Sequence, residues 1–232
     1  MKKAELKPTP EQTFELVGRG EYDFAAVLER SYRMQAEGRV EEACNERYQA
    51  VQRLTDLLPE DEEIILEFGH RNSRAALELL QASSVDHFLI SDFEMAAALS
   101  ELLLDLDPED HLENIALSGF CYVALGEYEL FDEIAGDISD SLPEKHILKL
   151  WSAFRQSGKL PEDILQRFRE RFAAFWEEFT SDEHPVDEAY IADSESESPS
   201  RKALARRLWL QTEHLWAQHP DFIQKLKGIR NS

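Results

Sequence analysis

The chain has 232 residues, of which 43% are hydrophobic and 31% charged, and its formal net charge is -22 at pH 7. This apolar content supports a sizeable core, so disorder throughout is excluded, and the apolar runs fall well short of the roughly 18 residues that cross a bilayer. A surface this negative repels nucleic acid and anionic lipid. We therefore expect neither a nucleic acid nor a membrane as partner.

Two local features bear on where the protein works. Lys2 and Lys3 are not followed by the apolar segment that a secretory signal needs, so we expect a cytoplasmic protein. Cys44 and Cys121 lie far apart within amphipathic stretches, without a histidine at ligand spacing. Because free cysteines are commonly buried, both are predicted to be buried free thiols.

Apolar residues recur at helical spacing through the chain, and no segment shows sustained alternation with a period of two. Thr9 and Pro10 open a first helix, since threonine caps free amides and proline fits the first turn. A break is expected near Ser83 and Ser84. The predicted helices cover residues 10–17, 22–37, 40–58, 61–81, 85–90, 93–106, 111–125, 128–138, 143–156, 161–180 and 200–218, with a short one after Pro220. The predicted fold class is all-α.

One predicted helix, residues 161–180, carries a stripe of large apolar side chains. The spacing of three and four residues puts all of them on one face. They are Leu165, Phe168, Phe172, Phe175 and Phe179. Aromatic residues at helical spacing are typical of a core, so we predict that this stripe is buried.

The charge is unevenly distributed. Residues 199–232 carry seven bases against two acids, whereas residues 177–198 carry nine acids and no Lys or Arg. We therefore divide a single domain into an acidic helical body over residues 1–180, an acidic Ser/Glu-rich loop over 181–198 and basic capping helices over 199–232. The acidic loop fits either a hydrated, partly disordered linker or a partner-binding or phosphorylated tract.

The basic end of the chain is also amphipathic, and it has two interpretations. Leu204, Leu208, Leu215 and Trp216 are spaced for one helix face. This segment either caps a stack of helices or docks on an acidic groove, in the same chain or in a second copy.

A short pattern recurs: a small residue, any residue, an aromatic or aliphatic residue, two more residues, and often Ala. It is typical of a turn between two helices, because the small residue lets the chain turn and the larger one fills the gap. The copies begin at Gly20, Gly38, Ser91, Gly126 and Gly158. The last three are 35 and 32 residues apart, close to the period of about 34 residues in the tetratricopeptide repeat.

Residues 112–145 resemble the tetratricopeptide-repeat family best. The Gly, Tyr, Gly, Tyr and Pro of the family's pattern stand at Gly119, Tyr122, Gly126, Tyr128 and Pro143, which would pack the repeat. The resemblance extends over about residues 75–175. It implies antiparallel helix pairs stacked as a short, irregular solenoid with a C-terminal capping helix.

The resemblance also implies a binding face, since the first helices of such pairs line a groove for a partner peptide or helix. In the best-matching unit, Glu113, Ala116 and Phe120 stand at positions that tend to face this groove. Phe120 fits a place in the core equally well.

Motifs for chemistry are missing from the sequence. Glu67 and His70 match one Glu-x-x-His pair, but a di-iron helical bundle needs two such pairs and two further glutamates. No nucleophile motif or glycine-rich phosphate loop occurs. We therefore expect no metal, no cofactor and no enzymatic activity.

The leading hypothesis is a protein-interaction module, an adaptor or co-chaperone-like scaffold, that binds a basic or amphipathic peptide on an acidic helical groove. The alternative is a self-associating structural or regulatory protein, in which the basic tail of one copy lies on the acidic body of another as a homodimer. A helical enzyme with an unfamiliar site is a third hypothesis.

Overall fold

Helices dominate residues 3–59 and 61–230, the part of the chain that the computed structural model describes. The chain divides into unit 1, Met1–Cys121, and unit 2, Tyr122–Ser232. The prediction of a mainly helical protein is therefore confirmed, and a small two-stranded sheet is added to it.

Unit 1 consists of a β-hairpin and a set of helices. Its elements are β1 (Ala4–Pro8), β2 (Phe14–Gly18), α1 (Phe24–Ala36), α2 (Val40–Thr55), α3 (Arg71–Leu89) and α4 (Phe93–Leu106), followed by α5 (Ile115–Leu125), which runs past the end of the unit. Helix α3 packs against α1, α2 and α4, and α1 packs against α2.

The hairpin corrects the prediction of a helix over residues 10–17 and of no strands, both of which are wrong. Strands β1 and β2 pair antiparallel, with Leu6 opposite Leu16. The amide of Leu16 donates to Ser73 Oγ (2.9 Å), and Asn72 Nδ2 donates to the Leu16 carbonyl (3.0 Å). The strand is thus held by α3, more than 50 residues away, which no local pattern can indicate.

The predicted helix over residues 61–81 and the predicted break near Ser83 and Ser84 are also wrong. Helix α3 begins only at Arg71, after the His70 side chain, which accepts from the Ser73 amide at its start. It then continues through both serines, because Ser84 Oγ bonds to the Ala96 carbonyl (2.8 Å) on α4. Ser84 thus provides a contact between helices instead of ending one.

Helices α1 and α3 run in the same direction, and α2, which joins them along the chain, runs in the opposite direction. Near their starts, the Ala25 amide donates to Asn72 Oδ1 (3.3 Å). Near their ends, Arg47 of α2 bonds to both Gln35 on α1 (3.1 Å) and Asp86 on α3 (2.7 Å). The start of α2 therefore lies beside the end of α3.

The recurring turn pattern has one conformation in common. Its first residue has a positive φ in all five copies: Gly20 (64°), Gly38 (78°), Ser91 (64°), Gly126 (84°) and Gly158 (68°). This left-handed region is open to glycine and strained for most other residues. The small residue is thus required by the turn, as the pattern predicts.

Unit 2 is helical throughout its described elements. These are α6 (Tyr128–Ile134), α7 (Pro143–Ser157), α8 (Glu162–Arg171), α9 (Ala173–Phe179), α10 (Glu188–Ser194), α11 (Arg201–Gln218) and α12 (Pro220–Arg230). Helix α7 packs against α8, and α9 packs against α8, α11 and α12.

The phenylalanine stripe lies on two helices, so the prediction of one helix over residues 161–180 is wrong. The chain breaks at Phe172 (φ -119°, ψ 44°), between α8 and α9. The four phenylalanines of the stripe are nevertheless buried, which confirms the predicted core for them, whereas Leu165 is only partly buried. Trp216 on α11 completes it, with its ring 5.6 Å from that of Phe179.

The acidic segment, residues 181–198, contains α10 and is bound by the basic helices at the end of the same chain. Glu178 is buried and accepts hydrogen bonds from Arg206 Nε and from His184 Nδ1 (2.6 Å). The His184 ring stacks on Trp209 of α11 at 3.9 Å. Lys227 adds an ion pair to the exposed Asp182 (2.8 Å). The bases of the tail thus hold the acidic segment within unit 2.

Both thiols are shielded to some degree. Cys121 is buried, and burial raises its pKa to about 12. Cys44 is only partly buried, and burial raises its pKa as well. Within the described residues, no helix is long and apolar enough to cross a membrane.

The stability of the chain should depend on pH through three histidines. Burial lowers the pKa of His146 and His219, so their contribution to stability is present above the ordinary value of 6.5 and is lost as pH falls below it. A hydrogen bond to Asp107 raises the pKa of His111, so its contribution is present below 6.5 and is lost as pH rises.

Urea unfolding at about pH 5.5 and about pH 8 tests both signs. We expect the double variant His146→Gln and His219→Gln to lose less stability on acidification than the unmodified chain. We expect the substitution His111→Gln to lower the free energy of unfolding, relative to the unmodified chain, more at about pH 5.5 than at about pH 8. The same pH dependence in all three proteins would contradict this assignment.

Candidate protein-interaction site

Three large apolar side chains are exposed at one end of unit 1. Val40 is 53% exposed, Leu89 is 47% exposed and Ile90 is 74% exposed. We call these residues the apolar tip. Single exposed apolar residues are common, but a cluster of them marks an interaction surface.

The three residues share one end because of the way α2 and α3 run. At a rise of about 1.5 Å per residue, Val40 lies about 10 Å beyond Arg47 along α2. Leu89 and Ile90 follow Asp86 by one turn at the end of α3. Since Arg47 and Asp86 are in contact, the start of α2 and the end of α3 project together.

A buried ion pair fixes the helices beneath the tip. Arg47 is only 3% exposed, and its Nε and Nη2 donate to Asp86 Oδ2 (2.7 Å) and Oδ1 (2.8 Å). Its Nη1 donates to Gln35 on α1. A bidentate pair of this kind sets orientation as well as distance, so α1, α2 and α3 present the tip in one arrangement.

The surroundings of the tip are acidic. Glu41 on α2 and Glu94 on α4 are exposed. Arg39, one of the bases at this end, donates to Glu37 (3.1 Å) and Glu42 (2.6 Å), and these hydrogen bonds raise its pKa. Because its charge is already balanced, the surface around the tip stays negative. It fits an apolar side chain flanked by cations.

The three residues expected to face a groove differ from one another in their exposure. Glu113 is exposed in a left-handed conformation (φ 53°), just before α5. Ala116 and Phe120 are buried in α5, and the Phe120 ring lies 6.2 Å from Phe88 of α3. Glu113 is therefore accessible at the surface, whereas Ala116 and Phe120 are not.

The residues expected to pack the repeat lie on α5 and on the turns after it. Gly119 and Tyr122 are buried in α5. Gly126 is left-handed, Tyr128 is the first residue of α6, and Pro143 is the first residue of α7. Gly126 and Pro143 thus stand at helix boundaries, where their backbone preferences are useful.

The Glu-x-x-His pair is occupied by structural contacts. Glu67 accepts from Thr13 Oγ1 (2.8 Å) and from the Gly69 amide (3.1 Å), and His70 caps α3. Over residues 3–59 and 61–230, no group of three or more His, Cys, Asp or Glu side chains is arranged to hold a metal ion.

The chain was compared with protein-family models, with curated proteins and with solved structures. None of these comparisons finds a match.

Sequence reasoning missed the apolar tip, although a signal for it exists. Leu89 and Ile90 stand directly before Ser91, the first residue of a recurring turn. Apolar residues beside a turn are candidates for exposure, because connections between helices run over the surface. The turn pattern that begins at Gly38 predicts that Val40 fills a gap between helices, yet Val40 is more than half exposed.

Proposed function

We propose that this chain is a protein-interaction module whose apolar tip binds a basic, amphipathic segment of another protein. The observation that carries the proposal is the exposure of Val40, Leu89 and Ile90 together, on a rigid base and within acidic surroundings. An amphipathic helix or strand with leucine-like side chains and flanking lysines is complementary to such a surface.

The proposal includes a short array of antiparallel helix pairs, similar to tetratricopeptide repeats, and a cytoplasmic location. In support, α1 and α3 are neighbours, as the first helices of successive pairs are in such arrays. The Phe88 ring on α3 and the Phe120 ring on α5 continue this series. The first helices begin 47 and 44 residues apart, at Phe24, Arg71 and Ile115, because connecting segments separate the pairs.

Self-association through the basic tail has less support. Arg206 and Lys227 bond to Glu178 and Asp182 of the same chain. These bases would have to leave their present partners before they could bind a second copy. An interaction with a different protein has no such cost.

The test compares two matched variants of the full chain. Ile90→Asp places a charge in the apolar tip, whereas Ile191→Asp makes the same change at an exposed position of α10 in unit 2. The first probe is an amphipathic peptide of leucine and lysine, and its affinity is measured by fluorescence anisotropy. We expect Ile90→Asp to weaken binding at least about tenfold, the equivalent of one buried apolar side chain, and Ile191→Asp to have little effect.

A second arm uses both variants and the unmodified chain to capture proteins from a lysate of the source cells at low and high salt. Supporting partners bind the unmodified chain and Ile191→Asp, are lost from Ile90→Asp, and weaken as salt rises. The proposal fails if the captured proteins and the peptide affinity are the same for both variants.

A further inference from the structure

Unit 2 contains a groove that no part of the proposed function uses. It has a volume of about 740 Å³ and lies between the start of α7, the break at Phe172 and one face of α11. We infer that this groove is a second docking site, which takes an acidic, amphipathic segment of a partner protein.

The floor of the groove is apolar. Phe172 and Phe175 line it from the break and from α9, and Leu208 lines it from α11. These three side chains are largely buried, whereas Leu204, one turn before Leu208, is 38% exposed. The floor therefore offers a ready contact for one large apolar side chain of a ligand, and Leu204 stands at its open edge.

Arginines outnumber acids by three to two on the rim of the groove. Arg171, Arg201 and Arg207 line it, against the two acids Glu144 and Glu170. The Arg171 guanidinium lies over the Phe172 ring, 5.5 Å from its centroid. This stacking orients the cation beside the apolar floor.

Arg207 is also held in position, since its Nη2 donates to the Ser194 carbonyl (2.7 Å). The carbonyl is uncharged, so Arg207 keeps its positive charge for a ligand. The start of α7 adds to the local potential, because its N-cap, Leu142, provides no side-chain hydrogen bond to the first amides.

The chemistry of the occupant follows from the charge. The chain as a whole carries -22, so an acidic segment is repelled by most of its surface and is attracted only where cations are concentrated. Carboxylates pair well with arginine, in part because the planar guanidinium offers paired donors. An acidic peptide with one leucine or phenylalanine directed at Phe172 and Phe175 fits both the rim and the floor.

The test uses a fluorescein-labelled amphipathic peptide of leucine and glutamate as the probe, with the full chain. Arg171→Glu and Arg201→Glu reverse charges on the rim. Lys202→Glu is the matched control, because it makes the same change on α11 at a position that does not line this groove. We expect each rim variant to weaken binding about tenfold, and the control to weaken it less than about twofold.

Leu204→Asp supplies a second variant at a position that is 38% exposed, and we expect it to weaken the same probe. Circular dichroism and thermal melts establish that every variant is folded. Equal weakening by Lys202→Glu and by the rim variants would overturn the inference, because the attraction would then be general. Equal weakening of the lysine-containing peptide by Arg171→Glu would also overturn it, because the rim would then not select an acidic ligand.

The two docking sites are separable in these experiments. Ile90→Asp in the apolar tip is expected to leave the affinity for the acidic peptide unchanged, and Arg171→Glu is expected to leave the affinity for the basic peptide unchanged. Failure of one proposal is thus distinguishable from failure of the other.

Discussion

Replacing Arg47 with alanine is expected to lower the free energy of unfolding by about 3 kcal/mol, as for a buried ion pair that loses one partner. The substitution leaves the Asp86 carboxylate, whose side chain is only 18% exposed, without its guanidinium. It also removes the link between Gln35 on α1 and Asp86 on α3. Urea unfolding monitored by circular dichroism measures the loss.

Two further variants give this experiment its control. Arg74→Ala removes an exposed ion pair between Arg74 and Glu78, both on α3. It is expected to lower the free energy of unfolding by less than about 1 kcal/mol. Combining Arg47→Met with Asp86→Leu removes both charges, so it should be less damaging than Arg47→Ala alone. If Arg47→Ala and Arg74→Ala cost the same, the buried pair does not hold the helices together.

Replacing Arg206 with alanine is expected to destabilise unit 2 by about 3 kcal/mol for the same physical reason. Arg206 bonds to the buried Glu178 and to the carbonyl of Pro185. Without it, the Glu178 carboxylate keeps the hydrogen bond from His184, and the acidic segment loses one of its attachments to α11. Hydrogen exchange should therefore increase over residues 181–187 before the rest of the unit is affected.

The matched control for this variant is Lys202→Ala, one turn earlier on the exposed side of α11. It is expected to change stability by less than about 0.5 kcal/mol and to leave exchange over residues 181–187 as it was. Equal exchange in the two variants would show that Arg206 does not retain the segment.

Local signals were enough to predict several helices closely. Helix α4 runs over Phe93–Leu106, as predicted, and α2 begins at Val40, as predicted. Helix α7 begins at Pro143, where a proline fits the first turn. Helix α4 also has a local cap, since the Asp92 side chain accepts from the Met95 amide.

The candidate sites could not be predicted in the same way. Exposure of Ile90 and burial of Phe120 both depend on which helices pack together, although each residue stands in an apolar stretch. The rim of the groove joins Arg171 to Arg201, which are 30 residues apart. No spacing along the chain indicates that such residues meet.

The sequence by itself determined the helical class, the turns at left-handed residues such as Gly38 and Gly126, and the separation of acidic from basic segments. These depend on backbone preference and composition, which act locally. Only the tertiary structure decided that β2 pairs beside α3, that α3 continues through Ser84 and that Phe172 interrupts a helix. In these places, hydrogen bonds and core packing between distant residues outweigh local preferences of about 1 kcal/mol or less.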